Sequence, residues 1–105
     1  MKAIWSYRST KALHTLEAYI QKEFGELKRQ EYMQQAEKTA NKLEEFPNMG
    51  RLEPLLAHRK KPYRSVLMTP KTKLIYYIDS DKDRIVIADC WDTRRESKNA
   101  AKGLN

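Results

Sequence analysis

The hydrophobic period of this chain changes twice, and that change restricts the fold more than any single motif does. Apolar residues first alternate, then recur at three- and four-residue steps, then alternate again. Ala3 to Tyr7 carries the first alternation, with β-branched and aromatic members, and reads as a short strand. Leu13, Leu16, Ile20 and Phe24 follow at helical steps behind the candidate N-caps Ser9 and Thr10, and Gly25 supplies a left-handed stop. A second stripe, Tyr32, Met33, Ala36, Ala40, Leu43 and Phe46, begins after Glu26 and ends at Pro47 and Gly50. With only Gly25 and its neighbours between them, the two helices are expected to form an antiparallel hairpin.

The strand period returns beyond a basic connector, Ala57-His58-Arg59-Lys60-Lys61-Pro62, whose proline forces extended geometry on Lys61. Three strands are expected there: Tyr63 to Met68, Lys73 to Asp79 and Arg84 to Trp91, with turns at Thr69 to Thr72 and Ser80 to Asp83. Both turns are short enough for antiparallel hairpins. The expected fold is therefore α+β, in the order β-α-α-β-β-β, with an antiparallel sheet packed against a helical hairpin. Leu13, Leu16, Ile20, Leu43 and Phe46 should meet a sheet face built from Ile75 or Tyr76 with Ile85 and Ile87. The polar tail from Glu96 to Asn105 should form a short helix that frays or orders on a partner.

At 105 residues, residues 1–105 read as a single domain with one modest core. No apolar run approaches the roughly 18 residues of a membrane span, and no apolar segment of the signal-peptide kind follows Met1-Lys2. Cys90, the one cysteine, can form neither an internal disulfide nor a zinc site alone. A reducing cytoplasmic setting is the expectation, with no membrane, metal or cofactor. The formal charge of +7 is lopsided: residues 1–57 hold nine Lys/Arg against eight Asp/Glu, whereas residues 58–105 hold twelve against six. An excess confined to the strand-rich half should present a basic face, suited to an anionic partner.

Most familiar chemistries lack their residues. Asp79-Ser80-Asp81-Lys82-Asp83 begins like a calcium loop, but Arg84 stands where the sharp turn needs glycine and Cys90 where a bidentate glutamate belongs. A solvated turn accounts for it. Cys90 lies in an apolar strand and reads as a small buried hydrophobe. His14 reads as a structural or surface group on the first helix. His58 stands among Arg59, Lys60 and Lys61, whose charge favours the neutral imidazole, and a surface role outweighs a catalytic one there too. No Ser/His/Asp order, glycine-rich phosphate loop or zinc spacing is present. What is left is clustered cation, including Arg94 and Arg95 delivered to a sheet end by the last strand. That equipment suits electrostatic stabilisation of a phosphate or an acidic surface more than acid/base work.

One ordered combination is more specific than its parts. An early aromatic in the first strand is followed by a helical hairpin closing on Leu43-Glu44-Glu45-Phe46-Pro47-Asn48-Met49-Gly50-Arg51. Tyr63-Arg64-Ser65, Leu74-Ile75-Tyr76-Tyr77-Ile78 and Trp91-Asp92-Thr93-Arg94-Arg95 come next. This succession resembles the RelE/ParE superfamily of toxins from bacterial type II toxin–antitoxin, or plasmid stabilisation, systems. The resemblance covers nearly the whole chain, although each motif alone is loose.

The resemblance implies one fold with two activities. RelE-like members are ribosome-dependent mRNA interferases, and ParE-like members poison DNA gyrase. On the RelE pattern, Lys73 falls where a strand arginine contacts the scissile phosphate, and Arg94 where a late arginine stabilises the transition state. The late catalytic tyrosine, or His-Tyr pair, has no counterpart, since Arg94 is followed by Arg95, Glu96, Ser97, Lys98 and Asn99. That departure favours a ParE-like gyrase poison or a divergent toxin, with His58, Lys60 or Lys61 left as proton shuttles for the RelE-like alternative. Arg59, Lys60, Lys61, Arg64 and Arg95 are the candidate contacts to nucleic acid or to a protein target. Arg64, Lys73, Arg94 and Arg95 are expected to line one surface, with residues 58–61 at its rim. The implied partners are a cognate acidic antitoxin that covers the basic groove, and DNA gyrase or the ribosome with its mRNA. A non-toxic basic nucleic-acid-binding module is the third reading, and it would need an open aromatic platform of Tyr63, Tyr76, Tyr77 and Trp91.

Overall fold

The first helix starts one turn earlier than its candidate caps suggest. In the computed structural model of the protein, which describes residues 1–94 and 100–105, Ser6 is the N-cap of α1 (Tyr7–Phe24), and its hydroxyl oxygen accepts from the Ser9 amide at 3.0 Å. Tyr7 is thereby helical and exposed, and β1 is confined to Lys2–Trp5. Ser9 is instead a fully buried residue whose hydroxyl donates to the Ser6 carbonyl. Gly25, at φ +91°, joins α1 directly to α2 (Glu26–Glu45), and its amide returns to the Gln21 carbonyl at 2.9 Å. A side chain would strain that conformation, so glycine makes the elbow.

The end of α2 is fitted to the sheet through a single phenol. The Tyr76 hydroxyl donates to the Pro47 carbonyl at 2.8 Å and accepts from the Gly50 amide at 2.9 Å. A Cβ on Gly50 would lie 2.6 Å from the Ser65 carbonyl oxygen, so only glycine lets the chain pass. The chain then runs through β2 (Arg51–Leu52), a 3₁₀ turn at Pro54–Leu56, β3 (Arg64–Thr69), β4 (Thr72–Asp79) and β5 (Arg84–Asp92).

The sheet order is β1-β5-β4-β3-β2. The expected meander of β3, β4 and β5 is present and antiparallel. Two features depart from expectation. A two-residue strand, β2, extends the edge beside β3, and β1 runs parallel to β5, with Ala3 beside Ile85 and Trp5 beside Ile87. The α+β class stands, but the sheet is mixed. A parallel pair needs a long crossover, and the helical hairpin with the strands after it supplies one.

Both faces of the sheet are covered, which explains why β5 is buried from Ile85 to Trp91. On one face, Leu13, Tyr32, Ala36, Ala40 and Leu43 of the helices pack on Met68, Leu74, Tyr76, Ile85, Ile87 and Cys90. On the other, Leu56, Tyr63, Ile75, Ala88 and Trp91 are closed over by Ala101 and Leu104. A bulge makes this possible: Ile75 pairs with Asp89 and Tyr76 with Ile87, so Ala88 is an extra residue that shifts the alternation of β5.

Of the alternatives Ile75 and Tyr76, it is Tyr76 that faces the helices, while Ile75 faces away from them. Other positions are corrected. Phe46 is 56% exposed, because it is the C-cap of α2 and its φ of −128° takes it off the helical stripe. Phe24 is 58% exposed at the elbow, where its ring meets Tyr19 instead of the sheet. Leu16 and Ile20 are half-buried and pack against the helix-side core as expected. The tail residues 100–105 dock on their own sheet, with Ala101 and Leu104 buried, and need no partner to do so.

Candidate functional site on the basic half

Lys73 emerges from β4 on the face away from the helices, and its ammonium is already engaged. Its Nζ donates to Glu53 Oε1 at 2.5 Å and lies 5.4 Å from the centre of the Trp91 ring. The Glu53 side chain is 1% exposed and also caps the 3₁₀ turn by accepting from the Leu55 amide at 3.1 Å. Burial opposes the Glu53 charge, but the bonds from Lys73 and from the Leu55 amide outweigh it and hold the carboxyl below its ordinary range.

The connector cations gather around the same far-side core. Lys61 places its ammonium 4.9 Å over the Tyr77 ring, which meets Tyr63 edge-on at 5.6 Å. Arg59 donates to the Ala101 carbonyl at 3.4 Å, while Lys60 and His58 are exposed. Tyr63, Tyr76 and Trp91 are buried and Tyr77 lies under Lys61, so these rings do not form an open stacking platform. That removes the feature on which the nucleic-acid-binding module rested.

The other expected site residues lie apart from this group. Arg64 turns to the end of α2 and donates to the Gly50 carbonyl at 2.7 Å. Arg94 lines a hollow on the helix side with Leu16, Tyr19 and Tyr32, and its Nε and Nη2 both reach the Asp92 carboxylate at 3.2 Å. The Asp92 carboxylate, and then the Tyr19 phenol, raise the Arg94 pKa further. Lys73 is tied to Glu53 on the far face of the sheet, whereas Arg94 stands beyond the end of β5 and is tied to Asp92 at the edge of the helix-side hollow, so each of the two cations is held by a different carboxylate. Arg95 lies outside the described residues.

Three functional-looking groups escaped the sequence. Glu53 is the sole carboxylate between Gly50 and Arg64, set among Arg51, Arg59, Lys60, Lys61 and Arg64, and that isolation was its signal. Arg8 and Asp89 form a second lock. Asp89 is buried, accepts from Arg8 Nε at 3.1 Å and from the Trp91 indole at 2.9 Å, and Arg8 also donates to the carbonyls of Ala100 and Lys102 at 3.0 and 2.7 Å. Nothing local in the sequence marks that pair, which spans most of the chain. Cys90 is buried and its thiol is pushed well above its ordinary range by burial first and by Asp89 second, which suits a hydrophobe and not a nucleophile. His14 sits exposed beside Glu17, with Nδ1 2.8 Å from Oε1. The Asp79–Asp83 turn is closed by Arg84, which donates to Asp79 at 3.1 Å.

A family model described as the ParE toxin of the type II toxin–antitoxin system parDE matches residues 3–96. The chain belongs to this family. ParE-family membership implies a cognate antitoxin. Among solved structures, a chain of the chromosomal ParDE system from P. aeruginosa superimposes with a TM-score of 0.70 at 14% identity, over 88% of this chain and 95% of its own. The YoeB/ParE toxin from Agrobacterium tumefaciens does so with a TM-score of 0.61 at 17% identity, over 88% of this chain and 98% of its own. At such identities these likenesses speak for the ParE-like fold alone. No curated protein matches the chain. Among the described residues of this ParE-family toxin, no helix is long and apolar enough to cross a membrane.

Proposed function

We propose that this ParE-family toxin is a poison of DNA gyrase acting in the cytoplasm, kept silent by an acidic antitoxin, and that it does not cleave message. The observation that carries this reading is the state of Lys73. A cation that must neutralise a scissile phosphate should be free to meet it, whereas Lys73 is bound to a carboxylate that is 1% exposed. Drawing Lys73 onto a phosphate would leave Glu53 buried and unpaired, which is strongly unfavourable. The lopsided charge of the chain supports an acidic cover, since residues 58–105 hold twelve Lys/Arg against six Asp/Glu.

One observation favours the RelE-like alternative. Arg94 and Tyr19 line the same hollow, and a guanidinium beside a phenol is equipment that phosphoryl transfer can use. The two readings separate when the purified toxin is tested on gyrase supercoiling and on translating ribosomes side by side. Inhibited supercoiling with intact message is expected. Message that is broken by the toxin and spared by its Tyr19→Phe variant would reverse the assignment.

A further inference from the structure

The elbow of the helical hairpin combines exposed apolar area with balanced charge. Tyr19, Phe24 and Leu27 are 44%, 58% and 75% exposed, and the Tyr19 and Phe24 rings meet edge-on at 6.4 Å. Large apolar side chains clustered in this way mark interaction surfaces more often than chance exposure does. Tyr19 and Phe24 also border a hollow of about 300 Å³ between the hairpin and the β3–β4 turn, walled by Leu16, Ile20, Tyr32 and Pro70. Its size suits one or two apolar side chains from another molecule, at the low end of binding cavities.

The charges around the elbow cancel. Residues 14–31 hold three Lys/Arg against four Asp/Glu, and the structure ties five of these seven to one another. Arg29 bridges Glu17 at 2.6 Å and Glu26 at 2.5 Å, and Lys28 meets Glu31 at 3.2 Å. On the rim of the hollow Arg94 is paired with Asp92, and Lys71 adds one further cation. A surface whose charges are satisfied internally offers little to a polyanion or to a strongly acidic segment, whose complement lies in residues 58–105. It suits a protein surface that is neutral and apolar at its centre.

We infer that the elbow is the surface with which the toxin engages its protein target, the target seating an apolar side chain in the hollow beneath Tyr19 and Phe24. This rests on the gyrase-poison reading and places target contact on the helical half, apart from the cationic half available to the antitoxin. The double variant Phe24→Ser/Leu27→Ser removes the two most exposed of these three side chains without touching the buried core. Three measurements test it: inhibition of supercoiling by the gyrase holoenzyme, salt-resisted retention on heparin as a probe of the basic half, and thermal unfolding as a check of the fold.

At least tenfold more of the double variant than of the parent should be needed for half-inhibition, with heparin retention and unfolding temperature unchanged. A folded double variant that inhibits gyrase as well as the parent overturns the inference. A parent that leaves gyrase untouched overturns the underlying reading instead, and the inference with it. If the double variant unfolds, Leu27→Ser alone carries the test, because that side chain is 75% exposed.

Discussion

The ammonium of Lys73 lies 2.5 Å from the carboxylate of Glu53, and this pair fastens the connector between β2 and β3 to the middle of the sheet. Glu53 has almost no water of its own, so its charge depends on that cation, on the amide of Leu55 and on the side chain of Ser65. Lys73→Ala should therefore destabilise the protein by about 3–5 kcal/mol, the cost of stranding a buried charge. Adding Glu53→Gln should recover part of the loss. Urea unfolding of the parent, the single and the double variant checks both; a Lys73→Ala protein as stable as the parent would show that the pair contributes nothing.

The same pair should give the protein an acid-sensitive component of stability. Glu53 has a folded-state pKa below the 4.5 of a free carboxyl, so its contribution is fully present above about pH 4.5. It is lost as the pH falls through the lower folded value, because the unfolded chain takes up its proton first. Glu53→Gln should flatten the fall in unfolding free energy below pH 4.5 relative to the parent. Glu17 and Glu26 are also held low, in the first case by His14 and in the second by Arg29. They remain in the variant, so the difference between the two profiles belongs to Glu53.

Burial ranks the core variants. Leu43 is fully buried between α2 and the sheet, and Leu43→Ala should cost about 2–5 kcal/mol. Leu16→Ala, at a half-buried site, should cost less. Phe46→Ala should change stability by no more than about 0.5 kcal/mol, since its ring is largely in water. Thermal and urea unfolding should return that order; an equal cost at Leu43 and Phe46 would contradict the packing.

The phenol of Tyr76 should be worth measuring by deletion. Tyr76→Phe leaves the Gly50 amide and the Pro47 carbonyl without their partner, at a cost of about 1–3 kcal/mol. Gly50→Ala should also destabilise, because the new methyl meets the Ser65 carbonyl and the Tyr76 hydroxyl. If both variants unfold at the urea concentration of the parent, the seam between α2 and the sheet is not what holds the helix end.

Arg94 should act through its fork. Both Nε and Nη2 address one carboxylate at present, and a bidentate grip of this kind on a target carboxylate or phosphate is beyond lysine. Arg94→Lys should relieve growth arrest on induction nearly as fully as Arg94→Ala. Full toxicity of the lysine variant would reduce the role of Arg94 to charge.

The helical hairpin and the β3-β4-β5 meander could be read from the order of the residues, because hydrophobic period, capping and turn chemistry act over a few neighbours. Leu13, Leu43, Tyr76, Ile85 and Ile87 were legible as core for the same reason. The start of α1 is not legible in the sequence, because Ser6, Ser9 and Thr10 are all competent caps, and the helix begins at the one whose hydroxyl meets the Ser9 amide. Phe24 and Phe46 kept the period but lost the burial, since a stripe in the sequence does not say where the sheet ends.

Element order, the cationic excess of the second half and the likeness to a toxin family were therefore present in the linear chain. The tertiary structure alone set β1 parallel to β5, laid Ala101 and Leu104 over Trp91, and locked Arg8 to Asp89. It also turned Lys73 from an available cation into the partner of Glu53, and Arg94 into the partner of Asp92. Each of these joins groups many residues apart, and the free energy of a charge or an apolar surface depends on what surrounds it in space. A local pattern carries no record of that surrounding.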